Sequence, residues 1–147
     1  MWMLLERINH GKASALGAVT GMVAGLGTIT PASGFVGPGG GLIIGLSAGV
    51  VCYYATGYIK RTLKIDDSLD VFPVHGVGGI LGTLMTGVFA SNALGVFSGQ
   101  EDIAIGAQVS IQAIGILSAI CYTAVVTYVI LKVTDAMVGN RVDEEDE

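Results

Sequence analysis

At 147 residues, with 52% hydrophobic and only 13% charged side chains, the chain carries about half of the roughly 25% charge typical of a soluble domain, so little of its surface is built to face water. The net charge of −5 is concentrated in the last five residues, Asp143 to Glu147, and no basic stripe offers itself to nucleic acid. Glycine is abundant at 23 residues and proline scarce at 3, which argues against a disordered or collagen-like chain and suits membrane helices, where glycine lets backbones approach closely.

In chain order, Met1–Ile8 is too short for a crossing and reads as the last turns of an earlier helix or a short interfacial piece. It has neither a small-residue cleavage site nor a polar mature domain behind it, so it is not read as a cleavable signal. Ala13–Ile59 contains no Lys, Arg, Asp or Glu and is long enough for two crossings of about 20 residues. Pro31 and then Gly37-Pro38-Gly39-Gly40-Gly41 break it, because proline and clustered glycine punctuate helices. Helices are predicted over about 13–30 and 41–60, and the uncharged stretches Val71–Gln100 and Ile103–Leu131 predict two more over about 71–90 and 105–132. The expected fold class is all-α, a polytopic transmembrane helix bundle. Its expected divisions are 1–12, the end of a preceding helix and a loop; 13–132, four transmembrane helices; and 133–147, an acidic tail.

Charge placement gives the expected orientation. The seven positive residues are Arg7, Lys12, Lys60, Arg61, Lys64, Lys132 and Arg141. With four crossings they all fall on one side, and the loops near 31–40 and 91–104 carry none. The positive-inside rule then places the C-terminus in the cytoplasm, in a plasma (cell inner) membrane.

Small residues at four-residue spacing supply the packing that lipid does not drive. The first span carries Ala13, Gly17, Gly21 and Gly25, the second Gly41, Gly45, Gly49 and Gly57, and the third Gly78, Gly82 and Thr86. The fourth has only Gly106 and Gly115, so the first three are expected to cluster and the fourth to be peripheral. The Gly76-Val77-Gly78-Gly79 run is not read as a nucleotide loop. Such a loop follows a strand and has an acidic partner about 20 residues on, and no acid occurs from Val71 to Gln100. Cys52 and Cys121 each sit in an apolar run without a second ligand nearby and read as small buried hydrophobes. The spans hold no paired acid and base, metal cluster or nucleophile elbow, so no enzyme activity and no cofactor are expected.

His75 is the one strongly polar titratable residue inside the proposed spans away from their ends. An intramembrane ionisable residue is costly and points to function; the competing reading is a neutral histidine bonded to a neighbouring helix. A neutral imidazole has one donor and one acceptor nitrogen, able to meet a small polar solute in a pore. A dry pore disfavours charge, so such a site favours a neutral solute or a proton passed separately along the path. Val71, four residues earlier, shares the helical face of His75, and the same spacing places Gly78, Gly79 and Gly82 on that side. Asp70 precedes the apolar run and is expected as the helix N-cap, with Pro73 in the first turn and Asp66 and Asp67 near the positive end of the helix.

The run Asp66-Asp67-Ser68-Leu69-Asp70-Val71-Phe72-Pro73-Val74-His75-Gly76-Val77-Gly78-Gly79 resembles the segment of Amt/Mep/Rh ammonium transporters that carries the second of their two pore histidines. Gly82-Thr83-Leu84-Met85-Thr86-Gly87 downstream and Gly25-Leu26-Gly27-Thr28-Ile29-Thr30-Pro31-Ala32-Ser33-Gly34 upstream are similar in the same order. The resemblance covers about Trp2 to Glu145 and implies the last four helices of an eleven-helix fold. It implies His75 and Val71 beside a hydrophobic ammonium/ammonia pore, with Asp70, Gly76 and Gly79 supporting the pore helix. It also implies a homotrimer and a PII-type regulator for the complete protein. Pro73 stands where many members have glycine, and the family's first pore histidine belongs to a part that this sequence does not contain. An inverted-repeat pore needs both halves. The alternative expectation is therefore a non-conducting fragment or a structural membrane subunit that needs a partner chain.

Overall fold

The computed structural model describes residues 1–92, 94 and 104–139. Most of the loop expected near 91–104, and the acidic run of the expected tail, lie outside the described residues. The described residues are helical, with no strand among them: α1 (Trp2–His10), α2 (Ala15–Ile29), α3 (Pro38–Arg61), α4 (Gly78–Phe89) and α5 (Ile105–Val138). A 3₁₀ turn, Thr30–Ala32, follows α2, and a π-helical turn, Phe72–Val77, runs directly into α4. Four segments are long and apolar enough to cross a membrane: Ala15–Ala32, Pro38–Arg61, Phe72–Phe89 and Ile105–Val138. The last runs six residues beyond the expected limit of 132, into what was expected as tail.

Local chemistry sets the helix ends. The Ser14 hydroxyl accepts from the Gly17 backbone N–H at 2.8 Å and so caps α2, satisfying an otherwise orphan donor. The Glu6 carboxylate in turn accepts from the Ser14 backbone N–H at 2.8 Å and from its hydroxyl at 3.0 Å, fixing the α1–α2 turn. Pro31 cannot extend α2, which tightens into the 3₁₀ turn. Gly34 then turns with φ +82°, a conformation glycine adopts without steric cost. Pro38 opens α3, and Lys60 and Arg61 close it where cations favour the negative end of the helix.

The chain divides into two compact units, Met1–Ala113 and Ile114–Glu147. The core of the first gathers Trp2, Ala24, Cys52 and Val74 from α1, α2, α3 and the π-turn, with Tyr53 against it. The Trp2 and Tyr53 rings meet edge to face at 5.4 Å, a favoured aromatic geometry. The glycine stripes are used selectively. A Cβ on Gly21 would come within 2.6 Å of Trp2 Cβ, and one on Gly49 within 2.8 Å of Met1 Cβ, whereas Gly25 and Gly45 face open space. Gly17 and Gly21 therefore seat α1 against α2, and Gly49 seats it against α3. Gly87 gives room for Val109 of early α5, at 3.0 Å. None of the residues of α5 is buried. The described part of the second unit is the remainder of that helix and Gly139, exposed except for the half-buried Ile116, Val126 and Thr134.

Candidate functional site

The segment between α3 and α4 carries the sequence-predicted site, and its start is built from carboxylates. Asp67 Oδ1 accepts from the Val71 backbone N–H at 2.9 Å, and its Oδ2 accepts from that of Phe72 at 2.8 Å. Both are orphan donors of a helix start, and a charged acceptor strengthens the bonds. The capping side chain is thus Asp67, not Asp70 as the sequence suggested. An N-cap residue has an extended backbone, whereas Asp70 is left-handed with φ 56°. Its carboxylate lies 2.8 Å from Lys60 Nζ at the end of α3. The Asp70 carbonyl accepts from the Val74 N–H at 3.0 Å, so its backbone still opens the helical hydrogen-bonding pattern. Asp66 is exposed and accepts from the Ser68 hydroxyl at 3.2 Å.

Pro73 falls within the first two residues of the π-turn, where its missing N–H removes no needed bond. The turn buries Pro73 and Val74 and leaves Val71, Phe72 and His75 exposed. Val71 is 52% exposed. Counting from Phe72, His75 is the fourth residue of the span Phe72–Phe89, close to where the expected span of about 71–90 placed it. A Cβ on Gly27 of α2 would sit 3.7 Å from His75 Nδ1 and 3.9 Å from the Val74 carbonyl. Gly27, which sequence reasoning placed only within a motif, therefore lies beside the imidazole, at a distance where a methyl group would make ordinary van der Waals contact. Among the described residues, no hydrogen bond to the His75 ring is made.

The expected glycine face divides. Gly79 faces open space. Gly78 and Gly82 are buried and lie against α2 rather than beside the histidine. A Cβ on Gly78 would meet Thr28 Oγ1 at 2.7 Å and Cys52 Sγ at 3.3 Å, and one on Gly82 would collide with the Thr28 carbonyl. The reason is the π-turn, whose i→i+5 bonding holds one residue more than an α-turn and so breaks the α-helical spacing carried forward from His75. Gly76 makes room within its own turn, where a Cβ would lie 2.9 Å from Phe72 Cδ2.

A pocket of about 300 Å³ opens at the Lys60 end of this unit, lined by Trp2, Glu6, His10, Tyr53, Lys60 and Asp70 among others. His75 and Val71 do not line it. No group of three His, Cys, Asp or Glu residues placed to hold a metal ion occurs among the described residues.

Four apolar segments of crossing length, with glycine contacts packing the first three, define an integral membrane protein. The sequence profile of the Ammonium Transporter Family matches residues 1–147, and the chain belongs to that family. It is 45% identical over 148 residues to an ammonium transporter of Aquifex aeolicus, covering 99% of this chain and 34% of that protein. It is 40% identical over 152 residues to the ammonium transporter Amt1 of Archaeoglobus fulgidus, covering 100% of this chain and 37% of that protein. Among solved structures it resembles Mep2 of Saccharomyces cerevisiae, with a TM-score of 0.79 and 31% identity over 97% of this chain and 38% of that one. It also resembles a protein described as a sensor Amt protein, with a TM-score of 0.82 and 30% identity over 97% of this chain and 35% of that one. The chain spans about a third of the length of the relatives it matches.

Proposed function

We propose that this chain supplies one wall of an ammonium/ammonia pathway in a complete transporter, with His75 and Val71 facing the solute. The observation that carries this reading is the exposed imidazole of His75 beside Gly27, with no hydrogen-bond partner among the described residues. A neutral ring there offers a donor and an acceptor to a small nitrogen base, and Val71 gives the path an apolar margin that disfavours charge. Gly76 and Gly79, with Asp70 at its start, support the helix that carries the histidine. The complete protein is proposed to be a homotrimer in the plasma membrane, with the C-terminus on the cytoplasmic side and a PII-type protein as its regulator. The remaining residues of the path come from outside this segment. A second reading, a subunit without conduction of its own, is favoured for the isolated chain because it matches only about a third of its relatives and a repeat-built pore needs both halves.

The test is ammonium uptake in a host lacking its own ammonium transporters. The isolated chain is expected to give none. A complete protein containing this segment is expected to conduct, and His75→Ala in it to reduce uptake or change its selectivity by about tenfold, the cost of roughly 1.4 kcal/mol in a barrier. Wild-type uptake and selectivity in that variant would remove the role given to His75.

A further inference from the structure

The turn bearing His75 is held at both ends. On the α4 side, Gly78 and Gly82 press against Thr28, so closely that a methyl group at either position would strike it. On the α3 side, Asp67 bonds the backbone of Val71 and Phe72, and Lys60 bonds Asp70 at 2.8 Å. Between these two holds lies Phe72–Val77, the π-turn, with one residue more than an α-turn holds. An extra residue of this kind persists only where both flanks are fixed, because passing it into the neighbouring loop restores ordinary α-helix.

We propose that Lys60 is a positioning residue for His75, acting through Asp70. Asp70 is a non-glycine residue with φ 56°, a conformation that carries a steric cost and persists only when its surroundings over-determine it. The Asp70 carboxylate is 17% exposed, so its bond to Lys60 is partly withdrawn from water, where an ion pair is screened less than at a free surface. Releasing Lys60 removes the side-chain contact that, together with the Asp70 N–H bond to the Asp67 carbonyl at 3.2 Å, holds Asp70 in that conformation. The extra residue then passes into the 62–70 loop, and the turn relaxes to α-helix. One residue of α-helix is about 100° of rotation, so Val71 and His75 swing by up to about that angle relative to Gly78–Phe89. The imidazole then leaves its place beside Gly27. Lys60 thereby sets the direction of the histidine without touching the solute. The inference rests on the reading of His75 given above for its functional meaning, but its geometry is tested without any transport measurement.

The experiment is nitrogen-15 magnetic resonance of the 147-residue chain in lipid nanodiscs, with histidine labelled and the His75 signal assigned by its loss in His75→Gln. Lys60→Met is expected to displace the His75 imidazole resonance by more than its linewidth, and Lys60→Arg to return it to within a linewidth of wild type. Helix content and melting temperature, recorded on the same samples, verify folding. An unmoved His75 resonance in folded Lys60→Met overturns the proposal, as does a displacement by Lys60→Arg equal to that by Lys60→Met. Should Lys60→Met fail to fold, Asp70→Asn decides. Asparagine tolerates the left-handed backbone but loses the charge, and a folded Asp70→Asn with His75 in its wild-type place overturns the proposal. Because no ammonium is involved, a transporter that conducts without His75 leaves this result standing, and an unmoved resonance leaves the transport reading standing.

Discussion

α4 with its π-turn, and α5, are both apolar enough to cross a membrane, yet they are specified in opposite ways. The first is defined by contacts that admit few substitutes: two buried glycines against Thr28, a capping carboxylate and an ion pair. The second has no buried residue in 34, and its close glycine contact is at Gly87 against Val109 near its start. Its Thr123 hydroxyl bonds back to its own Ala119 carbonyl at 2.6 Å, which satisfies the group locally without a neighbour. Hydropathy is therefore sufficient to make a span, and only the closely packed one fixes the direction in which a particular side chain points.

Substitutions that add atoms or remove caps sharpen this contrast. The largest effect is expected for Gly82→Val, which drives side-chain atoms into the Thr28 carbonyl. Overpacking of this kind costs about 3 kcal/mol, measured as a lower denaturant midpoint in detergent micelles. A loss below about 0.5 kcal/mol, the range of uncoupled surface changes, would show that α4 can slide on α2 and that the contrast is false. Asp67→Ala comes next, with a loss of about 1 kcal/mol for a removed cap and faster hydrogen exchange at the Val71 and Phe72 amides. Unchanged exchange at those two amides would transfer the capping role elsewhere. The smallest effect is expected for Gly115→Ala in α5, where a Cβ meets nothing within 4 Å. Its stability should stay within about 0.5 kcal/mol of wild type, and a larger loss in the same titration would reveal packing on that helix.

The spans were legible in sequence because a membrane helix announces itself by length and missing charge. His75 was legible for the same reason, as a titratable side chain inside an uncharged run. Less legible was which way residues face. Gly78 and Gly82 share an α-helical stripe with each other, but not with His75, because the inserted residue of the π-turn changes the phase between them. No periodicity argument sees such an insertion; Pro73 was its one local sign. Asp67 and Asp70 are both acids before an apolar run, and composition does not choose between them. The choice is made by the left-handed backbone of Asp70 and by Lys60, ten residues away in the chain. Gly27 was hidden for a similar reason: its partner is an imidazole 48 positions further on.

In α1, Trp2 is 6% exposed and seated against glycines of α2 and α3. Those glycines bring the start of α1, at Met1 and Trp2, close against α2 and α3. A side chain added at Gly21 or Gly49 would therefore wedge α1 away from its neighbour and uncover the Trp2 ring, so that the fluorescence of the one tryptophan in the sequence reports on this seam.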